Sequence, residues 1–129
     1  MKKESPKFLV VDDDDESRDT MVEYLYSLGF PQVVQAKDGQ EALKILDKDL
    51  AINFIISDWD MPKLNGLTLL QKVRSHPRMH NMPFLIATSP ISDEKEKIAL
   101  AAENLVSSYI IKPFRIQTFQ EKVMGLIER

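Results

Sequence analysis

The chain has no cysteine and only four glycines in 129 residues, and its charges nearly cancel. The first absence excludes disulfides, thiolate catalysis and Cys-type zinc sites. The scarcity of glycine leaves no glycine-rich turn after the first apolar run, which argues against nucleotide binding there. Seventeen basic against 20 acidic side chains give a net charge of −3, too mild to make nucleic acid or a membrane surface the main partner. Long apolar runs are missing as well. Phe8 to Val11, after the charged N-terminus, is ended by Asp12 and is too short for a signal-peptide core. No run approaches the ~20 residues of a spanning helix. The simplest expectation is a cytoplasmic protein of one domain, residues 1–129 with a core of about 7–128, and 43% apolar residues suffice for one core.

What is present alternates. Short, β-branched apolar runs (Phe8–Val11, Val33–Val34, Phe54–Ile56, Phe84–Ala87, Tyr109–Ile111) suit strands covered on both faces. Between them lie helical spacings. Met21, Tyr24, Leu25 and Leu28 are followed by Gly29 as a stop. Asp38 to Glu41 resembles a capping box ahead of Ala42, Leu43 and Leu46. Leu67, Leu70 and Val73 mark a third helix, Ile98, Ala101, Ala102 and Leu105 a fourth, and Ile116, Phe119, Val123 and Ile127 a fifth. Five βα units predict an α/β fold: a five-stranded parallel sheet with helices on both faces, wound right-handedly in the order 2-1-3-4-5. Its ligand crevice lies at the carboxyl ends of strands 1 and 3.

That rule gathers distant residues. Strand 1 ends in Asp12-Asp13, strand 3 in Asp58-Trp59-Asp60, strand 4 in Thr88 and strand 5 in Lys112-Pro113. Clustered carboxylates resist ionising together unless a cation compensates, and a hard divalent ion such as Mg²⁺ suits oxygen donors. A carboxylate beside such an ion can attack phosphorus. Lys112 and the ion would neutralise the transferring oxygens, with the Thr88 hydroxyl as a hydrogen-bond donor.

With these residues the chain resembles the phosphorylation-receiver domain of two-component response regulators, closest to CheY-type chemotaxis regulators. Phe8–Asp13 resembles the family's first strand and acidic pair, and Asp58-Trp59-Asp60-Met61-Pro62 with Gly66 its phosphoacceptor motif. Thr88 matches the switch Ser/Thr, and Tyr109 with Lys112-Pro113-Phe114 the aromatic switch and lysine. The resemblance implies a flavodoxin-like receiver fold. It implies phosphorylation of Asp58 by the phosphohistidine of a sensor kinase or phosphotransfer protein, and self-dephosphorylation thereafter. Mg²⁺ or Mn²⁺ would be held by Asp13, Asp58 and the Asp60 backbone carbonyl, with Asp12 acting mainly through metal-bound water. Lys112 would meet the phosphoryl group, aimed by a cis Lys112–Pro113 bond. Thr88 and Tyr109 would switch a helix 4–strand 5–helix 5 face toward a downstream protein. Such a chain is a signalling phosphoacceptor rather than an enzyme. The pattern leaves no room for an effector domain, so output runs through protein contacts unless the chain is part of a longer regulator.

Departures from the family pattern set further expectations. Asp60 adds a fourth acid near the site and should alter dephosphorylation. Pro90 should stiffen the loop after Thr88. Between helix 4 and strand 5 no glycine is present, so Asn104 is the expected left-handed cap. Other readings fit less well. Asp12 to Glu23 resembles a calcium loop but has Ser17 at the turn glycine. Asp58-Trp59-Asp60 resembles a haloacid-dehalogenase-type nucleophile motif, yet Met61-Pro62 follows and the acidic pair precedes it. A flavin phosphate would be repelled by Asp12 to Asp15. His76 and His80 belong to a solvated loop, and Trp59 is given no chemistry. A receiver-shaped interaction module that is rarely phosphorylated is the alternative of a different class.

Overall fold

The computed structural model describes residues 5–89 and 94–128. Its strands are β1 (Phe8–Val11), β2 (Val33–Ala36), β3 (Phe54–Asp58), β4 (Phe84–Thr88) and β5 (Ser108–Ile111). They alternate with α1 (Asp15–Ser27), α2 (Gly39–Lys48), α3 (Gly66–Ser75), α4 (Glu94–Glu103) and α5 (Ile116–Ile127). All strand pairs are parallel, and the order is β2-β1-β3-β4-β5, as expected. Pro90 lies outside the described residues. Among those described, no helix is long and apolar enough to cross a membrane.

Each face of the sheet carries its own core. On one face Phe8, Val10, Phe54, Ile56, Leu85, Ala87 and Ile110 meet Met21, Val22 and Leu25 of α1 and Phe119, Val123 and Leu126 of α5. On the other, Leu9, Val11, Ile55, Phe84 and Ile86 meet α2, α3 and Ala101 of α4. The period of two along the strands divides the apolar residues between the faces, and the continuous apolar runs follow from covering both.

Helix ends carry three findings. At α2 the Asp38 side chain accepts from Glu41 N at 2.8 Å, but the Glu41 carboxylate reaches Lys37 N at 3.3 Å instead of the cap residue's own amide. The capping box is therefore shifted by one residue. At α1, Gly29 (φ 93) closes the helix: its amide donates to Tyr26 and that of Phe30 to Leu25. Phe30 then packs edge-on to Phe8. α4 ends with the same pair of bonds, Leu105 to Ala102 and Val106 to Ala101, with Leu105 (φ 63) in the left-handed position. Asn104, the expected left-handed residue, instead turns its side-chain amide back to the Leu100 carbonyl at 2.8 Å. The reason is register: Ala101 and Val106 must both face the core, which fixes the reversal at the residue before Val106. Leu105, expected on the inward stripe of the fourth helix, lies outside the helix and is 69% exposed, and Ala102 is exposed too.

At this amino end of the sheet, Arg74 of α3 braces the connections. Its guanidinium donates to the carbonyls of Leu105 (2.8 Å), Met82 (2.7 Å) and His80 (3.2 Å) and to the Ser107 hydroxyl (3.2 Å).

Candidate functional site

Alternation along the strands delivers the site. Val10, Ile56 and Ile110 face the α1/α5 core, and two residues further on the same face come Asp12, Asp58 and Lys112, just past or at the strand ends. Register bonds hold these ends level: Asp12 N to Ala36 O, Trp59 N to Ala87 O, and Lys112 N to Thr88 O at 2.8 Å. Lys112 Nζ lies between two carboxylates, 2.8 Å from Asp12 and 3.2 Å from Asp58. Asp12 is fully buried and Asp58 only 8% exposed. The Lys112–Pro113 bond is cis.

Asp12, Asp13 and Asp58 each offer a carboxylate oxygen, and these atoms lie within 4.8 Å of one another. Three hard oxygen donors so close fit a small divalent cation such as Mg²⁺ or Mn²⁺. Burial raises the Asp58 carboxyl to about 6; the Lys112 charge opposes the rise and the Asp12 charge adds to it. For Lys112 burial acts to lower the pKa. The hydrogen bond to Asp12 and the charges of Asp58 and Asp12 outweigh it, so the ammonium is held more firmly than usual.

The glycine of the acceptor motif has a steric role. Gly66 N donates to the Trp59 carbonyl at 2.9 Å, and a Cβ at Gly66 would stand 2.3 Å from the Asp58 carbonyl oxygen. Any larger residue displaces the acceptor backbone.

The other expected site residues stand further out. Thr88 is buried on the opposite, α3/α4 face with Phe84 and Ile86, and its hydroxyl lies 3.4 Å from the Ser89 carbonyl. Tyr109 is half-buried at the edge strand, with Lys122 Nζ 5.3 Å from its ring centre. The Asp60 side chain does not join the three-carboxylate cluster. It is two-thirds exposed and pairs with Lys97 of α4 at 2.8 Å. Trp59 packs in the core. His76 and His80 are exposed, and each is bonded within its own loop.

Sequence reasoning missed Arg18. It is 9% exposed, and its guanidinium donates to the Asp12 carbonyl (2.8 Å), Gln35 (3.1 Å) and Asp15 (2.6 Å), fixing the backbone of the acid pair. A signal existed: Arg18 heads the inward stripe Met21, Val22, Leu25. A long cation at the end of such a stripe lies along the core and brings its head to the sheet end.

The family profile described as "Response regulator receiver domain" matches residues 8–124. A chemotaxis protein CheY homolog of Campylobacter jejuni subsp. jejuni is 37% identical over 121 residues, covering 94% of this chain and 92% of its own. The crystallised chemotaxis response regulator CheY4 of Vibrio cholerae superposes with a TM-score of 0.85 at 27% identity, over 95% of this chain and 99% of its own. The receiver domain of a sensor histidine kinase from Pseudomonas aeruginosa PAO1 has the same fold (TM-score 0.85, 20% identity, 98% and 100% covered). Its structure has a magnesium ion coordinated in the active-site cleft.

Proposed function

The chain belongs to the response-regulator receiver family of two-component signalling, and from that premise we propose that it takes a phosphoryl group on Asp58. The observation that carries this reading is the single ammonium of Lys112 held between Asp12 and Asp58, beside a three-carboxylate cluster. An Asp58 oxygen attacks the phosphorus of a phosphohistidine. The P–N bond breaks, and the donor imidazole keeps the electron pair. Lys112 meets charge on the transferring oxygens. Asp12, Asp13, Asp58 and the Asp60 carbonyl would hold Mg²⁺ or Mn²⁺, which when bound supplies further neutralisation of the phosphoryl oxygens.

A groove of about 410 Å³ beside Lys112, lined by Ser17, Thr20 and Tyr24 of α1 and by Phe114, gives a histidine-bearing donor room to approach. The donor is a sensor kinase or a phosphotransfer protein. The acyl phosphate is lost by self-hydrolysis. Thr88 and Tyr109 share the α3/α4 face of adjacent strands. In this reading they relay phosphorylation to the α4–β5–α5 surface, where a downstream protein binds.

Intact mass spectrometry tests the reading. With Mg²⁺ and acetyl phosphate the protein gains one phosphoryl group, and the gain disappears in Asp58→Ala and on chelation. No uptake by the native chain would favour an interaction module instead.

A further inference from the structure

Asp60 is a fourth carboxylate two residues past the acceptor, and it lines a cavity of about 360 Å³ with Asp13, Met61, Pro62 and Asn65. It is therefore beside the three-acid cluster yet outside it. What holds it outward is one side chain of α4. Lys97 Nζ lies 2.8 Å from the Asp60 carboxylate and 5.9 Å from the centre of the Trp59 ring. Lys97 is only 19% exposed, unusual for a lysine, because its stem runs along the inward face of α4 one turn before Ala101. A bare surface ion pair is worth little. This one is more constrained, with the cation placed between a carboxylate and an indole face.

We propose that Lys97 is a positioning residue that sets the cation affinity of the site by withholding the Asp60 carboxylate from it. The inference rests on reading Asp12, Asp13 and Asp58 as the metal ligands. Affinity for hard cations rises with the number of anionic oxygens a site can offer. With Asp60 bound to Lys97, the site works with three carboxylates and releases its cation readily. With Asp60 free, a fourth can swing in from the shared cavity. Because Lys97 belongs to α4, the metal site and that helix are thermodynamically linked: whatever moves α4 away alters cation binding, and the reverse holds to the same degree.

Calorimetric titration of the full chain with Mg²⁺ tests this, with thermal unfolding as the check that each variant is folded. Lys97→Met should tighten binding about fivefold, while Lys97→Arg, which can still pair with Asp60, stays within about twofold of native. In an Asp60→Asn background Lys97→Met should give no tightening. Equal tightening in both backgrounds would reduce Lys97 to a distant charge and overturn the proposal. So would unchanged or weaker binding in Lys97→Met when the native chain binds normally. Absence of Mg²⁺ binding by the native chain would instead bring down the ligand assignment itself, and this proposal with it.

Discussion

Burial lifts the Asp58 carboxyl to about 6, against an ordinary value of 3.8. A carboxyl raised in the folded state is protonated there while the unfolded chain has already lost its proton. Stability therefore falls as pH climbs from about 4 to about 6, by an amount on the order of 3 kcal/mol. Asp58→Asn removes that penalty and leaves Lys112 its bond to Asp12. With chelator present, the variant should unfold at nearly the native temperature at pH 4 and distinctly above it at pH 7. A difference that does not change with pH would contradict the assignment. The comparison must be with the native chain, because Asp49, lowered first by its hydrogen bond to Lys7, contributes in the opposite sense. Asp12, Asp13, Asp58 and Lys112 were legible in the sequence because each stands at the end of an apolar run, where the fold rule collects residues. Arg18, Lys97 and Arg74 were not. Composition treats such cations as solvated, and only their place on an inward helix stripe distinguishes them.

Two helices end with the same hydrogen-bond pattern but different residues in the left-handed position. Gly29 has no side chain to object, whereas Leu105 carries a branched one at φ 63. An L-residue there costs about 1 kcal/mol or somewhat more. Leu105→Gly should therefore stabilise the protein by about 0.5–1 kcal/mol, and Gly29→Ala should destabilise it by about 1 kcal/mol. Urea unfolding measures both, and an unchanged or lowered midpoint for Leu105→Gly would mean that the exposed leucine is held by contacts that offset its strain. The strands and helices were readable from periodicity, but this end was not. Propensity favours asparagine for the role, and the packing of Ala101 and Val106 overrode it.

The sheet carries two cores and one acidic edge, so the whole domain senses what happens at that edge. A cation bound only by the folded chain adds stability by mass action, about 2.7 kcal/mol at a hundredfold excess over Kd. Mg²⁺ should raise the unfolding temperature of the native chain by several degrees, and Asp13→Asn should lose most of that increase. A rise of the same size in the variant would place the ion elsewhere. The strand order was legible because alternating short units leave few ways to wind a parallel sheet. Partner choice was not, since surface recognition leaves no period in the chain. At the edge remote from the acids, Arg74 grips the carbonyl of Leu105 and the hydroxyl of Ser107 while also holding Met82 and His80. One end of α4 is thereby riveted to α3 and to the lead-in of β4, whereas Lys97 meets the acceptor loop through a pair that can break. The two ends of α4 are thus restrained unequally: four hydrogen bonds donated by Arg74 anchor the segment after its last turn to the lead-in of β4, and one ion pair ties down its start.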